Sequence, residues 1–151
     1  MTAEFLPEVL TVDAELNRAK TLLEQLNCTC VLCRGAEVHT SDRRGVAPLL
    51  DFLDSGRSYS GFYAADKVVG KATAFLYCLL GVQGVYAQIM SLPASQVLAE
   101  QGIFFACDTL VEGIRNRTDT GPCPMETATA GSTDPDTALK AIRETLRRLN
   151  P

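Results

Sequence analysis

The feature that most constrains the fold is the stretch from Ala64 to Gly81, in which a strand-like segment runs directly into an apolar one. Between Val68 and Leu80 only Lys71 is charged, and apolar residues fall on every side of a helix drawn through this segment. A helix that is apolar all round lies in the middle of a domain rather than on its surface. The sequence therefore predicts a buried central helix with a polar entrance.

The polar entrance consists of Asp66, Lys67, Gly70 and Lys71, at the junction of strand and helix. We place Gly70 inside the helix, where glycine costs about 1 kcal/mol relative to alanine, and we interpret that cost as room for close approach of a backbone or a ligand. Lys67 and Lys71 are four residues apart, and would share one helix face beside the free N–H groups of the helix N-terminus. This arrangement indicates an anion site. The alternative is that both lysines only keep the helix end solvated, with Asp66 as its cap.

Composition excludes several classes of protein. A chain of 151 residues with 46% apolar residues is expected to form a single globular domain over residues 1–151. Fourteen basic against eighteen acidic residues give a net charge of −4 without a basic stripe, which argues against nucleic acid as a partner. No apolar segment has the length of a membrane-spanning helix, and the N-terminus lacks the features of a signal peptide. The sequence therefore predicts a cytoplasmic location, no membrane partner and six reduced cysteines.

Periodicity and turn residues predict the order of the elements. The expected segments are a loose leader over 1–10, a helix over 11–26, a hairpin over 28–34 and 37–40, a short helix over 49–53, a strand over 59–65, the central helix to residue 80, a strand over 85–90, a helix capped by Ser91 and ending near 101, a strand over 103–106, a helical turn within 108–114, a loop over 115–124, a helix over 125–130 and a final helix over 136–149. Strands that alternate with helices after a hairpin predict an α/β fold, with a mostly parallel sheet covered on both faces. We interpret the basic pair Arg43-Arg44 as solvated surface.

Three cysteines of the predicted hairpin, Cys28, Cys30 and Cys33, suggest a metal site at first reading. A structural zinc site needs four ligands, usually in two spaced pairs, and the second pair is missing here. Cys28 and Cys30 are expected on one strand face and Cys33 on the other. We therefore predict no bound metal and interpret these cysteines as small apolar strand residues.

A second polar cluster lies late in the chain, at Asn116-Arg117 and in the segment from Cys123 to Glu126. Pro124 is typical of a helix start, which places Cys123 near the N-cap, where the pKa of a thiol is lowered, with Glu126 as the nearest base. The alternative is that Cys123 only caps or packs, and that Glu126 satisfies the helix end. Because turns after neighbouring parallel strands lie at one edge of a sheet, we expect this cluster to meet the entrance of the central helix.

The two clusters together carry a resemblance. The segments 65–72 (ADKVVGKA), 116–117 (NR) and 123–126 (CPME) resemble the signature of a family of uncharacterised prokaryotic proteins, a domain of unknown function assigned a cytidine-deaminase-like fold. The resemblance covers roughly residues 12–130, so that the final helix is an addition. It implies a three-layer α/β/α sandwich with a five-stranded mixed sheet.

The resemblance does not extend to the zinc ligands of true deaminases. In those enzymes one helix brings His/Cys-x-Glu and the next brings Pro-Cys-x-x-Cys. Here Pro122-Cys123 matches the start of the second motif, but Glu126 stands where its last cysteine belongs, and the central helix lacks the first motif. We therefore expect no zinc, no other cofactor and no hydrolytic zinc deaminase activity.

The favoured function is the binding of a small anionic or nucleotide-like ligand. The expected ligand-binding residues are Asp66, Lys67, Gly70, Lys71, Asn116 and Arg117. A zinc-independent enzyme and a non-catalytic structural or interaction protein are the alternatives. For the enzyme the candidate catalytic residues are Cys123, Lys71 and Glu126. Because deaminase-like domains commonly pair, the resemblance also implies a homo-oligomer, through helix faces or a sheet edge.

Overall fold

The structure is a computed structural model that describes the backbone of residues 7–150 and the side chains of residues 12–150. In chain order the elements are α1 (Pro7–Gln25), β1 (Cys30–Arg34), β2 (Glu37–Ser41), α2 (Ala47–Asp54), β3 (Tyr63–Val69), α3 (Lys71–Leu80), β4 (Gly84–Ser91), α4 (Leu92–Glu100), β5 (Phe104–Val111), α5 (Pro124–Thr129) and α6 (Pro135–Leu149). Among the described helices, none is both long enough and apolar enough to cross a membrane.

The five strands form one mixed sheet in the order β2-β1-β3-β4-β5. β1 runs antiparallel to both β2 and β3, as the predicted hairpin requires, whereas β3, β4 and β5 are mutually parallel. The expected α/β class with a five-stranded mixed sheet is thereby confirmed. The parallel strands direct their carboxyl ends to the same edge of the sheet, which is where such folds place their ligands.

Helices cover both faces of the sheet and form the three expected layers. On one face the apolar stripe of α1, including Leu16, Ala19 and Leu23, packs against residues of β1, β3 and β4. On the other face α2, α3, α4 and α6 share a single core with the sheet. Seven of the ten residues of α3 are buried, because α3 lies between the sheet and the other helices of this layer. The prediction of a buried central helix is confirmed.

The junction before α3 differs from the prediction. β3 continues to Val69, which pairs with Met90 of β4 and belongs to the core, so that α3 begins only at Lys71. Gly70 is therefore the N-cap residue of α3, in an extended conformation, and not an interior helical residue. The helix-propensity argument for Gly70 is wrong, and so is the expectation that Lys67 and Lys71 share a helix face. The β-branched pair before Gly70 fits the strand ladder better than a helical turn.

Three other boundaries also differ. α1 begins at Pro7, so that the last four residues of the expected leader are helical, while residues 1–6 lie outside the described residues. Residues 59–62 form a turn and not a strand, since Phe62 N–H donates to Tyr59 O and Gly61 has a φ of +82°. The helical turn expected within 108–114 is wrong, because pairing with β4 extends β5 to Val111 and residues 112–114 form no helical turn.

The cysteines of the hairpin do not lie as expected. Cys28 precedes β1, and it packs with Cys33 on the α1 side, whereas Cys30 faces the other core. The expectation that Cys28 and Cys30 share one face of a strand is therefore wrong, because Cys28 lies before the strand begins and side chains alternate between faces only within a strand. By contrast, the expected cap at Ser91 is confirmed, with its Oγ accepting the N–H of Ala94 at 3.2 Å.

Candidate functional site

A cavity of about 360 Å³ opens where β3 ends and α3 begins. Its wall is built by the loop before α2, the end of β3, the first turn of α3, the loop after β5 and the start of α5. This volume lies within the range of about 300–1,000 Å³ that is usual for small-molecule sites. The cavity is therefore large enough for a small ligand, at the edge of the sheet where one was expected.

Most of the residues predicted from the sequence meet at this cavity. Those on its wall are Asp66, Lys67, Gly70, Arg117, Cys123 and Glu126. The expected convergence of the two polar clusters is thus present, although they are far apart in the sequence. Lys71 and Asn116 do not belong to the wall.

The side chain of Lys71 is directed away from the cavity. Its Nζ donates to the carbonyl oxygen of Ala130 at 3.0 Å and lies 5.8 Å from the ring centroid of Phe75. What Lys71 contributes to the site is its backbone N–H, which donates to Glu126. The ammonium of Lys71 is thus not on the cavity wall, where its expected roles in ligand binding and catalysis would place it, because those roles assumed one helix face shared with Lys67.

Asn116 organises the loop that carries Arg117. Its Oδ1 accepts the backbone N–H of Thr120 at 3.0 Å, and its Nδ2 donates to Thr120 Oγ1 at 3.1 Å. These bonds close a turn between β5 and α5. Asn116 therefore supports the loop that carries Arg117, and its direct contact with a ligand stays a prediction.

Glu126 occupies the N-terminus of α3. Its Oε1 accepts the backbone N–H of Lys71 at 2.6 Å, so that a carboxylate from α5 satisfies a free donor of another helix. A Cβ added to Gly70 would lie 1.9 Å from this oxygen, which explains the glycine. Burial raises the pKa of Glu126, and the bond from Lys71 opposes that shift. The sequence correctly indicated a close approach at Gly70, but the approaching group is the carboxylate of Glu126. Glu126 was expected to satisfy the end of its own helix, α5, and instead it satisfies the N-terminus of α3.

Three basic residues on the cavity wall have no acidic partner among the described residues. Arg44, Lys67 and Arg117 are all exposed, and none of them forms an ion pair or a side-chain hydrogen bond within the part of the chain that the structure describes. Arg43 also borders the cavity, but its guanidinium is bound by both carboxylate oxygens of Asp51. Positive charge at this site therefore comes from these side chains, and at the N-terminus of α3 the N–H of Lys71 is already bound by Glu126.

The interpretation of Arg43-Arg44 as mere solvated surface missed this position. Thr29 Oγ1 lies 2.8 Å from the carbonyl oxygen of Ser41 and 2.6 Å from that of Arg43, and so holds the loop after β2 against the start of β1. Since β1 is the neighbour of β3, this loop reaches the cavity. The only sign of this position in the sequence was a pair of arginines in the loop after the hairpin. That sign points to the cavity only once the strand order, with β1 beside β3, is known.

Asp66 lies on β3 at the buried side of the cavity, and it is not a helix cap as the alternative interpretation held. Only 8% of the residue is exposed, and Tyr77 of α3 donates its hydroxyl to Asp66 Oδ2 at 2.7 Å. The same hydroxyl lies 3.4 Å from the Sγ of Cys30. Burial raises the pKa of Asp66 to about 7, although the hydrogen bond from Tyr77 opposes this shift. Asp66 is therefore a carboxyl that titrates near neutral pH beside a cavity.

Cys123 is the N-cap residue of α5, as the sequence indicated, and it borders the cavity. Its side chain makes no capping hydrogen bond. Among the side chains of residues 12–150, no three of His, Cys, Asp or Glu are grouped as metal ligands. The expectation that the protein holds no zinc stays a prediction.

Comparisons with known proteins are consistent with this fold. A crystal structure of a DUF1893 family protein (TM1506) from Thermotoga maritima superposes with a TM-score of 0.80 at 21% identity, covering 87% of this chain and 89% of that one. A dCMP deaminase from the cyanophage S-TIM5 superposes with a TM-score of 0.41, both in complex with dCMP and dUMP (12% identity, 67% of this chain and 97% of that one) and in apo form (15%, 70% and 98%). No curated protein matches the chain.

The sequence itself matches a described family over most of its length. Residues 18–146 match the family described as TM1506, a domain of unknown function (DUF1893). This match confirms the resemblance that the three short motifs indicated, and it includes most of α6, which the motifs had left outside. The chain belongs to the DUF1893 family.

Proposed function

We propose that this protein binds a small anionic or nucleotide-like ligand in the cavity between β3, α3 and α5. The observation that carries the proposal is the group formed by Arg44, Lys67 and Arg117, three cations without acidic partners among the described residues. Guanidinium groups bind carboxylates and phosphates through paired, charge-assisted hydrogen bonds. An anion at this cavity would give these three cations the partner that no described side chain gives them.

The remainder of the wall supports a ligand with an apolar or flat body. Val46, Pro48, Ile114 and Met125 border the cavity together with the cations. Small-molecule sites are mostly apolar, with a few polar groups that fix the orientation of the ligand. A nucleotide-like compound has both kinds of surface, because its phosphate is anionic and its base is flat.

The anion site is tested by replacing each cation singly with a neutral residue of similar length. Arg44→Gln, Lys67→Gln and Arg117→Gln are each expected to weaken the binding of inorganic phosphate or AMP, measured by isothermal titration calorimetry, by about tenfold, because a hydrogen bond to a charged group contributes about 1.5–3 kcal/mol. Lys71→Gln is the matched control, since its ammonium lies outside the cavity, and it should leave the affinity unchanged. Equal losses in all four variants would indicate a general charge effect and would contradict the proposal.

A second candidate, an enzyme without zinc, is favoured by one observation. Asp66 is a buried carboxyl beside the cavity with a pKa raised to about 7, which suits a general acid or base at neutral pH. Cys123 remains the candidate nucleophile on the wall of the same cavity. Glu126 is less suited to act as its base, because its carboxylate is engaged by the N-terminus of α3.

We also propose that the protein forms homo-oligomers through β5 and resides in the cytoplasm. Among the described strands, β5 has a neighbour on one side only, and its residues Phe104, Phe105 and Leu110 are 50%, 40% and 53% exposed. An unprotected apolar edge strand is a surface that a second chain is able to cover.

The cytoplasmic location is supported by the cysteines. All six are free, which supports a reducing compartment.

The oligomer is tested by light scattering at micromolar concentration. We expect a mass of at least twice 16.3 kDa for the wild-type protein, and a reduction to the monomer mass in Phe105→Lys, because a charge on an edge strand opposes pairing. Leu149→Lys, at a comparably exposed apolar residue of α6, should keep the wild-type mass. A monomeric wild-type protein would rule out the proposed assembly.

A further inference from the structure

We propose that Asp66 binds an N–H or O–H donor of the ligand, so that the ligand carries an anionic group at one end and a hydrogen-bond donor, such as an amine or amide, at the other. This inference rests on the anion site proposed above and adds the chemistry of the buried part of the same cavity. It follows from the hydrogen bonds that Asp66 makes, and from those that it lacks.

The carboxyl of Asp66 has unused accepting capacity. Its Oδ2 accepts the hydroxyl of Tyr77 at 2.7 Å, whereas Oδ1 lies 3.4 Å from the backbone N of Val68, longer than a good hydrogen bond. The backbone N–H of Lys67 also interacts with this carboxyl and lowers its pKa. Each carboxylate oxygen accepts about two hydrogen bonds. Because Asp66 is almost fully buried and borders the cavity, the group best placed to complete its bonding is a donor inside that cavity.

The charged side chains on the cavity wall differ in sign and in exposure. Arg44, Lys67 and Arg117 are exposed to solvent, whereas Asp66 is buried. A buried carboxylate repels an anion and attracts a donor, and burial strengthens both effects. The anionic end of the ligand therefore lies toward the solvent, and its donor end lies inside.

Tyr77 is a positioning residue for this contact. It comes from the middle of α3, it is fully buried, and its hydroxyl bridges Asp66 Oδ2 and the Sγ of Cys30. Because one carboxyl oxygen is held in this way, the orientation of the other is restricted as well. Removing the hydroxyl should loosen the carboxyl and leave the cations at the mouth of the cavity unaffected.

The test uses ω-aminoalkyl phosphates of two to six carbons against plain alkyl phosphates of the same length. Affinities are measured by calorimetry on the full chain at pH 8, above the pKa of about 7 of Asp66, so that the carboxyl is ionised. We expect the amino compound of at least one length to bind about tenfold more tightly than its plain counterpart. Asp66→Asn should reduce that preference to within twofold, because the amine loses its partner, and it should not weaken the binding of the plain phosphate, which the carboxylate only repels. Tyr77→Phe should reduce the preference severalfold, also without loss of plain phosphate binding.

The possible failures are distinguishable. If plain phosphates bind and Arg117→Gln weakens them, but no amino compound is preferred, the anion site stands and the role of Asp66 is refuted. The role of Asp66 is also refuted if the preference survives in Asp66→Asn. If no phosphate binds to the wild-type protein, the anion site is refuted, and this inference with it. Thermal melts of each variant show whether it is folded, and Tyr77→Phe provides the test if Asp66→Asn does not fold.

Discussion

Asp66→Asn is expected to increase the free energy of unfolding at pH 8 by about 2–4 kcal/mol. Burial raises the pKa of Asp66 from 3.8 to about 7, which means that ionising it costs the folded state more than the unfolded state. At about 1.4 kcal/mol per pKa unit, the full cost of ionising Asp66 in the folded state is about 4 kcal/mol. The gain from Asp66→Asn is smaller than this, because the asparagine amide is itself imperfectly hydrogen-bonded at this position. Asparagine has the shape of the protonated acid and avoids the penalty.

The sign of the pH dependence follows from the raised pKa. A folded-state pKa above the unfolded value stabilises the protein fully below pH 3.8, and this contribution is lost as pH rises through about 7. The advantage of Asp66→Asn should therefore largely disappear at pH 4.5. Urea unfolding of the wild-type protein and of Asp66→Asn at pH 4.5 and pH 8 measures the difference in their free energies of unfolding at each pH. The titration of Glu126 does not contribute to this difference, because both proteins contain Glu126.

A surface aspartate provides the control for this result. Asp134 caps α6, and its hydrogen bonds to Thr137 lower its pKa, which is the opposite direction. Asp134→Asn keeps a good capping residue and should not stabilise the protein at pH 8. An advantage of Asp66→Asn that is equal at both pH values, or absent at pH 8, would show that Asp66 is not a buried, costly carboxylate.

Gly70→Ala is expected to decrease the free energy of unfolding by about 1–3 kcal/mol, the usual cost of overpacking. The new Cβ would lie 1.9 Å from Glu126 Oε1 and 3.0 Å from Ile114 Cγ1. The Glu126 carboxylate must then move and release the N–H of Lys71, and alanine is also a poorer N-cap than glycine. We expect anion binding to weaken as well, because Gly70 borders the cavity.

A double-mutant cycle separates these causes. In a Glu126→Ala background the carboxylate is absent, so that Gly70→Ala should cost less than about 1 kcal/mol, from the cap and Ile114. Gly113→Ala is the matched control, because an added Cβ there meets no atom within 4 Å, and its effect should stay within about 0.5 kcal/mol. A more stable Gly70→Ala protein, or an equal cost in both backgrounds, would contradict the account of Glu126 at the N-terminus of α3.

The sequence by itself determined the parts of the fold that depend on local patterns. Apolar residues on every side indicated the burial of α3, alternation of elements indicated a mostly parallel sheet, and Ser91 marked the start of α4. These signals are local, because strand and helix periods and capping bonds involve residues within a few positions of each other. They also indicated that the two polar clusters meet at one edge of the sheet, since the topology of parallel strands requires it.

Only the tertiary structure decided the chemistry of the site. Glu126 reaches the N-terminus of α3 across 55 residues, and this contact gives Gly70 a role different from the one that helix propensity suggested. The burial of Asp66 against Tyr77 raises its pKa, and the strand order brings Arg44 to the cavity. None of these is visible in the sequence, because close approach, desolvation and charge pairing depend on distances between side chains from different elements, which only the packing of the whole chain sets.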